Sequence, residues 1–148
     1  MVRMDLGGMS PAGALQAVAF GAVAVTTRAL QTVGLELTFA QWRVLVIVGE
    51  SDEGATVSEV AARLGSELSP ASRLVGRMAR RGFVTLIKDD VDRRVTRVTL
   101  TGAGRGIREA VLERRLALLV AVLAAAGPIS PDVVAGLQRI GEAFGQFT

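Results

Sequence analysis

Basic and hydroxyl side chains are concentrated in one stretch of the sequence. Residues 69–108 carry ten basic groups and three acids, a charge of +7, whereas the rest of the chain is −4. Guanidinium, ammonium and hydroxyl groups donate to phosphate oxygens and base edges, which indicates a surface for a polyanion. A solvated arginine-rich surface is the alternative that charge alone leaves open. We predict contacts to double-stranded DNA from Ser69, Ser72, Arg73, Arg77, Arg80, Lys88, Asp92, Arg93, Arg94 and Arg97.

The first group of these residues lies on one side of a predicted helix, which begins at Ser69 before Pro70 and ends at Arg81. The other side is an apolar stripe of Leu74, Val75 and Met78. In a recognition helix the N-terminal end enters the major groove, so we expect Ser72 and Arg73 at base edges. Phosphate contacts are expected from Arg77, Arg80 and Arg81. Gly76 has two open interpretations, a close approach of the backbone to DNA or simple tolerance.

A charged turn carries the second group of residues. It joins two predicted strands, Phe83–Lys88 and Arg94–Leu100, and the segment 89–94 places three carboxylates beside two arginines. An acid that braces an arginine would let the arginine project into a narrow minor groove. A solvated turn held by weak local ion pairs is the alternative.

Two capping boxes mark the helices that must position these residues. Thr38 with Gln41 starts one helix, whose hydrophobic staple is Leu37 and Trp42. Thr56 with Glu59 starts a second, shorter helix. After the third helix the apolar period changes from 3.6 residues to two, which indicates strands. Three helices followed by a hairpin predict a winged helix-turn-helix.

Long helices with extended apolar stretches are predicted at both ends of the chain, at 12–33, at 102–126 and from Ser130 to about Gln146. The first is apolar on almost every face, so most of its surface must be covered. This pattern predicts a homodimer interface. We predict one domain, 1–148, that is mainly α with a small β-hairpin wing (α+β). Its dimerisation helices are residues 12–33 and 102–147, and residues 37–101 form the winged helix-turn-helix lobe.

The composition argues against an enzyme. The chain has neither Cys nor His, which excludes Ser-His and Cys-His catalytic centres and thiolate zinc sites. The glycines at 102, 104 and 106 have the spacing G-x-G-x-G instead of the G-x-G-x-x-G of dinucleotide sites. We predict no catalytic residue, no metal site and no cofactor.

Two apolar runs raise the question of a membrane. Residues 6–27 carry no charge and follow Arg3, as in a weak signal peptide, but Ser10, Pro11 and Gln16 interrupt them. The run Leu116–Ala126 has 11 residues, and a spanning helix needs about 20. Buried helices explain both runs better, and we predict a cytoplasmic protein without membrane contact.

Four segments together resemble the MarR family of multiple-antibiotic-resistance regulators. They read LTFAQWRVLVIV, TVSEVAARLG, LSPASRLVGRMARRGFV and DVDRRVTRVTLTGAG. The most specific element is the wing pattern Asp-x-Arg, five residues, Leu-Thr, which is met by Asp92, Arg94, Leu100 and Thr101. The resemblance implies a triangular homodimer on a pseudo-palindromic operator, with Arg94, braced by Asp92, in the minor groove. Gly76 and Ala79 depart from the polar or acidic residues that members often carry there.

The resemblance also implies regulation by a ligand. Many members are repressors released by small aromatic acids or other phenolic ligands, bound between the dimerisation helices and the DNA-binding lobe. By position, the candidate ligand contacts are Arg28, Gln31, Trp42 and Arg43, although the helix staple already accounts for Trp42. We therefore expect a DNA-binding transcriptional regulator, most simply a repressor. A winged-helix protein-interaction module without DNA binding is the alternative.

Overall fold

The described part of the chain folds into six helices and a small sheet. A computed structural model describes residues 9–34, 36–90 and 92–145. In chain order the elements are α1 (Pro11–Thr32), α2 (Phe39–Val48), β1 (Ala55–Thr56), α3 (Val57–Leu64), α4 (Leu68–Arg80), β2 (Val84–Lys88), β3 (Thr96–Leu100), α5 (Gly102–Ala126) and α6 (Pro131–Phe144). Both strand pairs are antiparallel, in the order β1–β3–β2. The predicted α+β class with a hairpin wing is confirmed.

Some predicted features lie outside the described residues. They are Val91 in the wing turn, the last positions of the C-terminal helix at Gln146 and residue 147, and the segment around Arg3 that precedes the first helix. Strand β1 was not predicted, because two residues are too few to show alternation. It pairs with β3 through Ala55 opposite Val98 and Thr56 opposite Arg97.

Both predicted capping boxes are confirmed. The Thr38 hydroxyl accepts from the backbone N–H of Gln41 at 3.2 Å, and the Gln41 side chain accepts from the backbone N–H of Thr38 at 2.9 Å. In the second box the Thr56 hydroxyl accepts from the Glu59 N–H at 3.2 Å, and the Glu59 carboxylate accepts from the Thr56 N–H at 2.6 Å. The backbone N–H of Thr56, with its hydroxyl, holds the pKa of Glu59 below the ordinary value. These local bonds explain why α2 and α3 begin where the sequence indicates.

The recognition helix starts earlier than predicted, and its N-cap is not Ser69. Helix α4 begins at Leu68 with Glu67 as its N-cap, and Ser69 lies inside the first turn. Pro70 is compatible with this start because the first N–H groups of a helix have no partner within it, so a missing N–H costs little there. The hydroxyl of Ser69 accepts instead from the Arg73 guanidinium, at 2.9 Å.

A single apolar core lies where the lobe meets α1 and α5. Its largest fully buried side chains come from α2, α3, α4, β3 and α5, namely Leu45, Met78, Val44, Val48, Val60, Val75, Val98 and Val111. Helix α1 adds Ala29 and Leu30 near its C-terminal end. Trp42, one half of the predicted staple, is 4% exposed. The core therefore fixes α4 by its buried stripe and leaves the other side of that helix free.

Beyond this core, α1, α5 and α6 expose large apolar side chains. They include Val18, Phe20, Val23, Leu116, Val120, Val122, Leu123, Val133, Val134, Leu137, Ile140 and Phe144. Helices α1 and α5 pack on each other. Helix α1 is also long and apolar enough, by length and composition, to cross a membrane, with 17% of its most apolar window buried.

Candidate nucleic-acid interface

The predicted DNA-facing side of α4 is free of the core. Ala71, Val75 and Met78 are buried, whereas Ser69, Ser72, Arg73, Arg77 and Arg80 are all exposed. The bond from Arg73 to Ser69 joins residues one turn apart and holds the guanidinium over the N-terminal half of the helix. At Gly76 an added Cβ would meet only Arg80 Nη1, at 3.9 Å, so the fold does not require glycine there.

Arg81 does not join this surface. Its guanidinium donates to the backbone carbonyl of Glu36 at 2.9 Å and to Gln41 Oε1 at 3.4 Å. The same group lies 4.8 Å from the centre of the Phe83 ring, within the range of a cation–π contact. Arg81 therefore ties the end of α4 to the loop before α2, and its expected contact with a phosphate stays a prediction.

The acids of the wing act on the backbone of the turn. The Asp92 carboxylate accepts from the backbone N–H of Arg94 at 2.9 Å, and the Asp89 carboxylate accepts from the backbone N–H of Asp92 at 3.0 Å. Arg93 and Arg94 are exposed. Asp92 thus does brace Arg94, but through the main chain, which leaves the guanidinium donors available to a ligand.

A groove between α4 and the wing brings several predicted residues together. Its volume is about 540 Å³, and its lining includes Ser72 from α4 together with Lys88 and Arg94 from the wing. The Lys88 ammonium donates to Thr96 Oγ1 at 2.8 Å across the two strands. Arg97 is half-buried on β3, where its charge contributes to the low pKa of Glu59. Arg97 therefore lies nearer to the start of α3 than the other basic residues of the wing.

The four predicted ligand contacts are not brought together in one cavity. Trp42 and Arg43 line a cavity of about 300 Å³ between α1, α2, α3 and α5. Gln31 lines a different cavity of about 420 Å³, at the loop between α1 and α2. Arg28 is exposed and lines neither. Their grouping was predicted from position along the chain, which does not determine the face on which a residue of α1 lies.

Two further arginines line the cavity of Trp42, and sequence reasoning missed both. Arg115 of α5 donates through Nε to the Thr26 hydroxyl at 3.0 Å, and Arg63 of α3 donates to both Glu50 carboxylate oxygens at 2.5 and 2.8 Å. This ion pair lowers the pKa of Glu50 and raises that of Arg63. The pair is about half-exposed, so it adds little stability. This ion pair and Arg115 come from segments that are far apart in the sequence, so only packing brings them together.

Of the three glycines in the first turns of α5, Gly104 serves packing. A Cβ at Gly104 would lie 2.0 Å from the backbone oxygen of Phe83, so only glycine allows this approach of α5 to the hairpin. Thr101 caps α5 by accepting from the Gly104 N–H at 3.0 Å and donates its hydroxyl to the Gly82 carbonyl at 2.6 Å. Within residues 9–34, 36–90 and 92–145 no cluster of three or more acidic side chains is placed to hold a metal ion.

Helices α3 and α4, the hairpin after them and the basic exposed side of α4 define a winged helix-turn-helix protein. Residues 35–95 match the model of the MarR family. A MarR-family transcriptional regulator from Rhodococcus sp. RHA1 has the same fold, with 26% identity and a TM-score of 0.72 over 93% of both chains. The chain is therefore similar to the MarR family in sequence over residues 35–95, and to this regulator in fold over nearly its whole length.

Two further relatives are similar to the chain. CouR from Rhodococcus jostii RHA1, solved bound to p-coumaroyl-CoA, is 27% identical, with a TM-score of 0.70 over 94% of this chain and 92% of that one. The transcriptional activatory protein BadR of Rhodopseudomonas palustris is 34% identical over 92 residues, or 61% of this chain. The chain spans about half the length of that relative, 51%.

Proposed function

We propose that the chain is a sequence-specific DNA-binding transcriptional regulator. The observation that carries this proposal is the exposed side of α4, where Ser72, Arg73 and Arg77 stand free of the core beside a groove that also holds Lys88 and Arg94. In this arrangement α4 enters the major groove, and the wing reaches the neighbouring minor groove. The match of residues 35–95 to the MarR family model and the named regulator of similar fold support the assignment. A DNA target places the protein in the cytoplasm.

The regulator acts as a homodimer on a pseudo-palindromic operator. The apolar side chains exposed on α1, α5 and α6 form more surface than a soluble monomer leaves uncovered. A second copy of the chain covers these side chains. In this arrangement residues 12–33 and 102–147 form the dimer interface and residues 37–101 form the DNA-binding lobe. All of them belong to one domain, 1–148. Two recognition helices then lie about one helical turn of DNA apart, roughly 34 Å.

Titration of the purified protein with its own upstream DNA at several salt concentrations tests the proposal. Each phosphate contact contributes about 0.9 to the slope of log affinity against log salt concentration. We expect a steep slope, because α4 and the wing of each copy offer several exposed cations. A slope near zero would contradict DNA binding and favour a protein-interaction module.

Arg73 is expected to read bases. Arg73→Ala should reduce the preference for the operator over unrelated DNA by about 1–3 kcal/mol, because a guanidinium near the start of a recognition helix binds guanine edges. Competition titrations with operator and unrelated duplexes measure the change. Arg80→Ala is the matched control, since that residue lies further along the same side and is expected at a phosphate. An equal loss of affinity for all sequences with Arg73→Ala would make it a phosphate contact.

A small ligand releases the protein from DNA. The cavity of about 300 Å³ lies between the lobe and the helices assigned to the dimer, and it combines Phe39 and Trp42 with three arginines. An apolar wall with converging cations suits a small aromatic or phenolic anion. That CouR was solved with p-coumaroyl-CoA supports a ligand-responsive regulator on this fold. The simplest regulator of this kind is a repressor whose operator affinity falls when the cavity is occupied.

A further inference from the structure

The Arg43 side chain caps the C-terminal end of α3 by donating to its last backbone carbonyls. That helix ends at a left-handed Gly65, and the backbone N–H groups of Gly65 and Ser66 bind carbonyls one turn back, at 3.0 Å each. The carbonyls of Arg63 and Leu64 remain, and the Arg43 guanidinium donates to both of them, at 3.4 Å for Leu64. The last carbonyls of a helix have no partner within it, so Arg43 supplies what α3 lacks at its end.

This helix end leads directly into the recognition helix. Only residues 65–67 separate α3 from α4. Arg43 comes from α2, a helix packed in the core, so its two bonds hold the turn between α3 and α4 against the lobe. Its side chain also lines a second cavity, beside Pro70, Ala71 and Arg77 of α4. The position of the recognition helix therefore depends in part on Arg43.

The same residue lines the ligand cavity, where its partners differ from those of the other two arginines. Arg63 is paired with the Glu50 carboxylate, and Arg115 donates to Thr26. Among the described residues, Arg43 donates to backbone carbonyls, which carry no net charge. A carboxylate offers opposite charge and bidentate geometry, so it competes well for this guanidinium.

We propose that an aromatic carboxylate bound in this cavity takes the Arg43 guanidinium from the carbonyls of Arg63 and Leu64, and so loosens the turn that holds the recognition helix. The proposal rests on the ligand-responsive DNA binding proposed above and assigns the link between the two sites. Arg43 is a positioning residue in this scheme, since it acts on DNA binding through α3 and α4. The rings of Phe39 and Trp42 supply the wall against which the aromatic part packs.

Trp42 reports on occupancy of the cavity. It is the only tryptophan of the chain, it is 4% exposed and it lines the cavity, so a bound ring changes its fluorescence. Benzoate at millimolar concentration is expected to quench this emission, and benzamide, of the same shape but uncharged, is expected to bind at least tenfold more weakly. Equal binding of the two, or no quenching by benzoate, would overturn the carboxylate assignment. Failure of the carboxylate assignment would leave the proposed DNA binding standing, because the salt titration of ligand-free protein tests that binding separately.

Amide hydrogen exchange of the full chain tests the link itself. Saturating benzoate should speed exchange of the Gly65 and Ser66 amides at least tenfold. Arg43→Met, which keeps the aliphatic stem and removes the donors, should speed it without benzoate, and Arg43→Lys should restore part of the protection. Arg115→Met is the matched control from the same cavity, because it should weaken benzoate binding and leave exchange at the turn unchanged.

The outcomes separate the two proposals. Benzoate that quenches Trp42 without changing exchange at Gly65 and Ser66 would overturn the role of Arg43 and leave DNA binding intact. An absence of salt-dependent DNA binding would overturn the proposed function, while the exchange experiment would still report on Arg43. If Arg43→Met does not fold, the benzoate response of the wild type and of Arg43→Lys decides.

Discussion

Substitution of Arg94 by alanine is expected to weaken operator binding by about 1–3 kcal/mol for each of the two wings, with the free energy of unfolding changed by less than about 0.5 kcal/mol. Two copies of the wing engage one operator, so the substitution acts twice on each complex. Electrophoretic or fluorescence titration with the operator measures affinity, and thermal unfolding measures stability.

The structure explains why binding and stability separate at this position. Arg94 is exposed, and the hydrogen bond that Asp92 makes with this residue involves its backbone N–H, at 2.9 Å. Alanine keeps that backbone bond and the shape of the turn, and removes only the guanidinium. A cation at the wing tip is favoured in a narrow minor groove, where the negative potential is strongest.

Arg114→Ala is the control for Arg94→Ala, because it removes the same charge from an exposed position of α5, away from the groove between α4 and the wing. It should change affinity only slightly. If Arg94→Ala lowers the unfolding temperature substantially, the residue is structural and the assignment of the wing to the minor groove is wrong. Equal effects of the two variants would instead point to net charge alone.

Substitution of Gly104 by alanine is expected to lower the free energy of unfolding by at least about 3 kcal/mol. The new Cβ would lie 2.0 Å from the backbone oxygen of Phe83 and 3.0 Å from its carbonyl carbon. Because the obstacle is backbone, no side-chain rotation relieves it. The start of α5 must move away from the base of the hairpin, and the bond from Thr101 to the Gly82 carbonyl moves with it.

Gly106→Ala is the matched control for Gly104→Ala. Gly106 lies two residues later in α5, is exposed, and has nothing within 4 Å of an added Cβ. Alanine there should raise the free energy of unfolding by up to about 1 kcal/mol, since it is the better helix former. Denaturant unfolding monitored by circular dichroism compares both variants with the wild type. Unchanged stability with Gly104→Ala would show that α5 and the hairpin are not tightly packed.

Several elements of the lobe could be predicted because their signals are local. The capping boxes at Thr38 and Thr56 join residues three positions apart, and the helices begin there in the structure. The apolar stripe of α4 follows the helical period, so Val75 and Met78 were correctly assigned to the buried side. The exposure of Arg73 and Arg77 follows from the same period.

Other features could not be predicted, because the hydrogen-bond partner of a long side chain depends on which elements pack near it. Arg81 is the C-cap of the helix that carries Arg77, yet its side chain bonds to the loop before α2. The same limit applies to the ligand cavity, which gathers Arg43, Arg63 and Arg115 from three helices. The apolar pattern of α1 does not predict that Gln31 lines a cavity and that Arg28 lies elsewhere, because that helix is apolar on nearly every face.

Local patterns along the chain established the order of the helices and the hairpin, the buried side of the recognition helix and the concentration of positive charge around it. Those properties depend on hydrogen bonds and apolar contacts between residues a few positions apart. The tertiary structure alone decided which arginines remain free for DNA, which close the end of α3 and which converge on a cavity. A guanidinium on a flexible stem reaches acceptors on several elements, and only packing determines which of those acceptors lies within its reach.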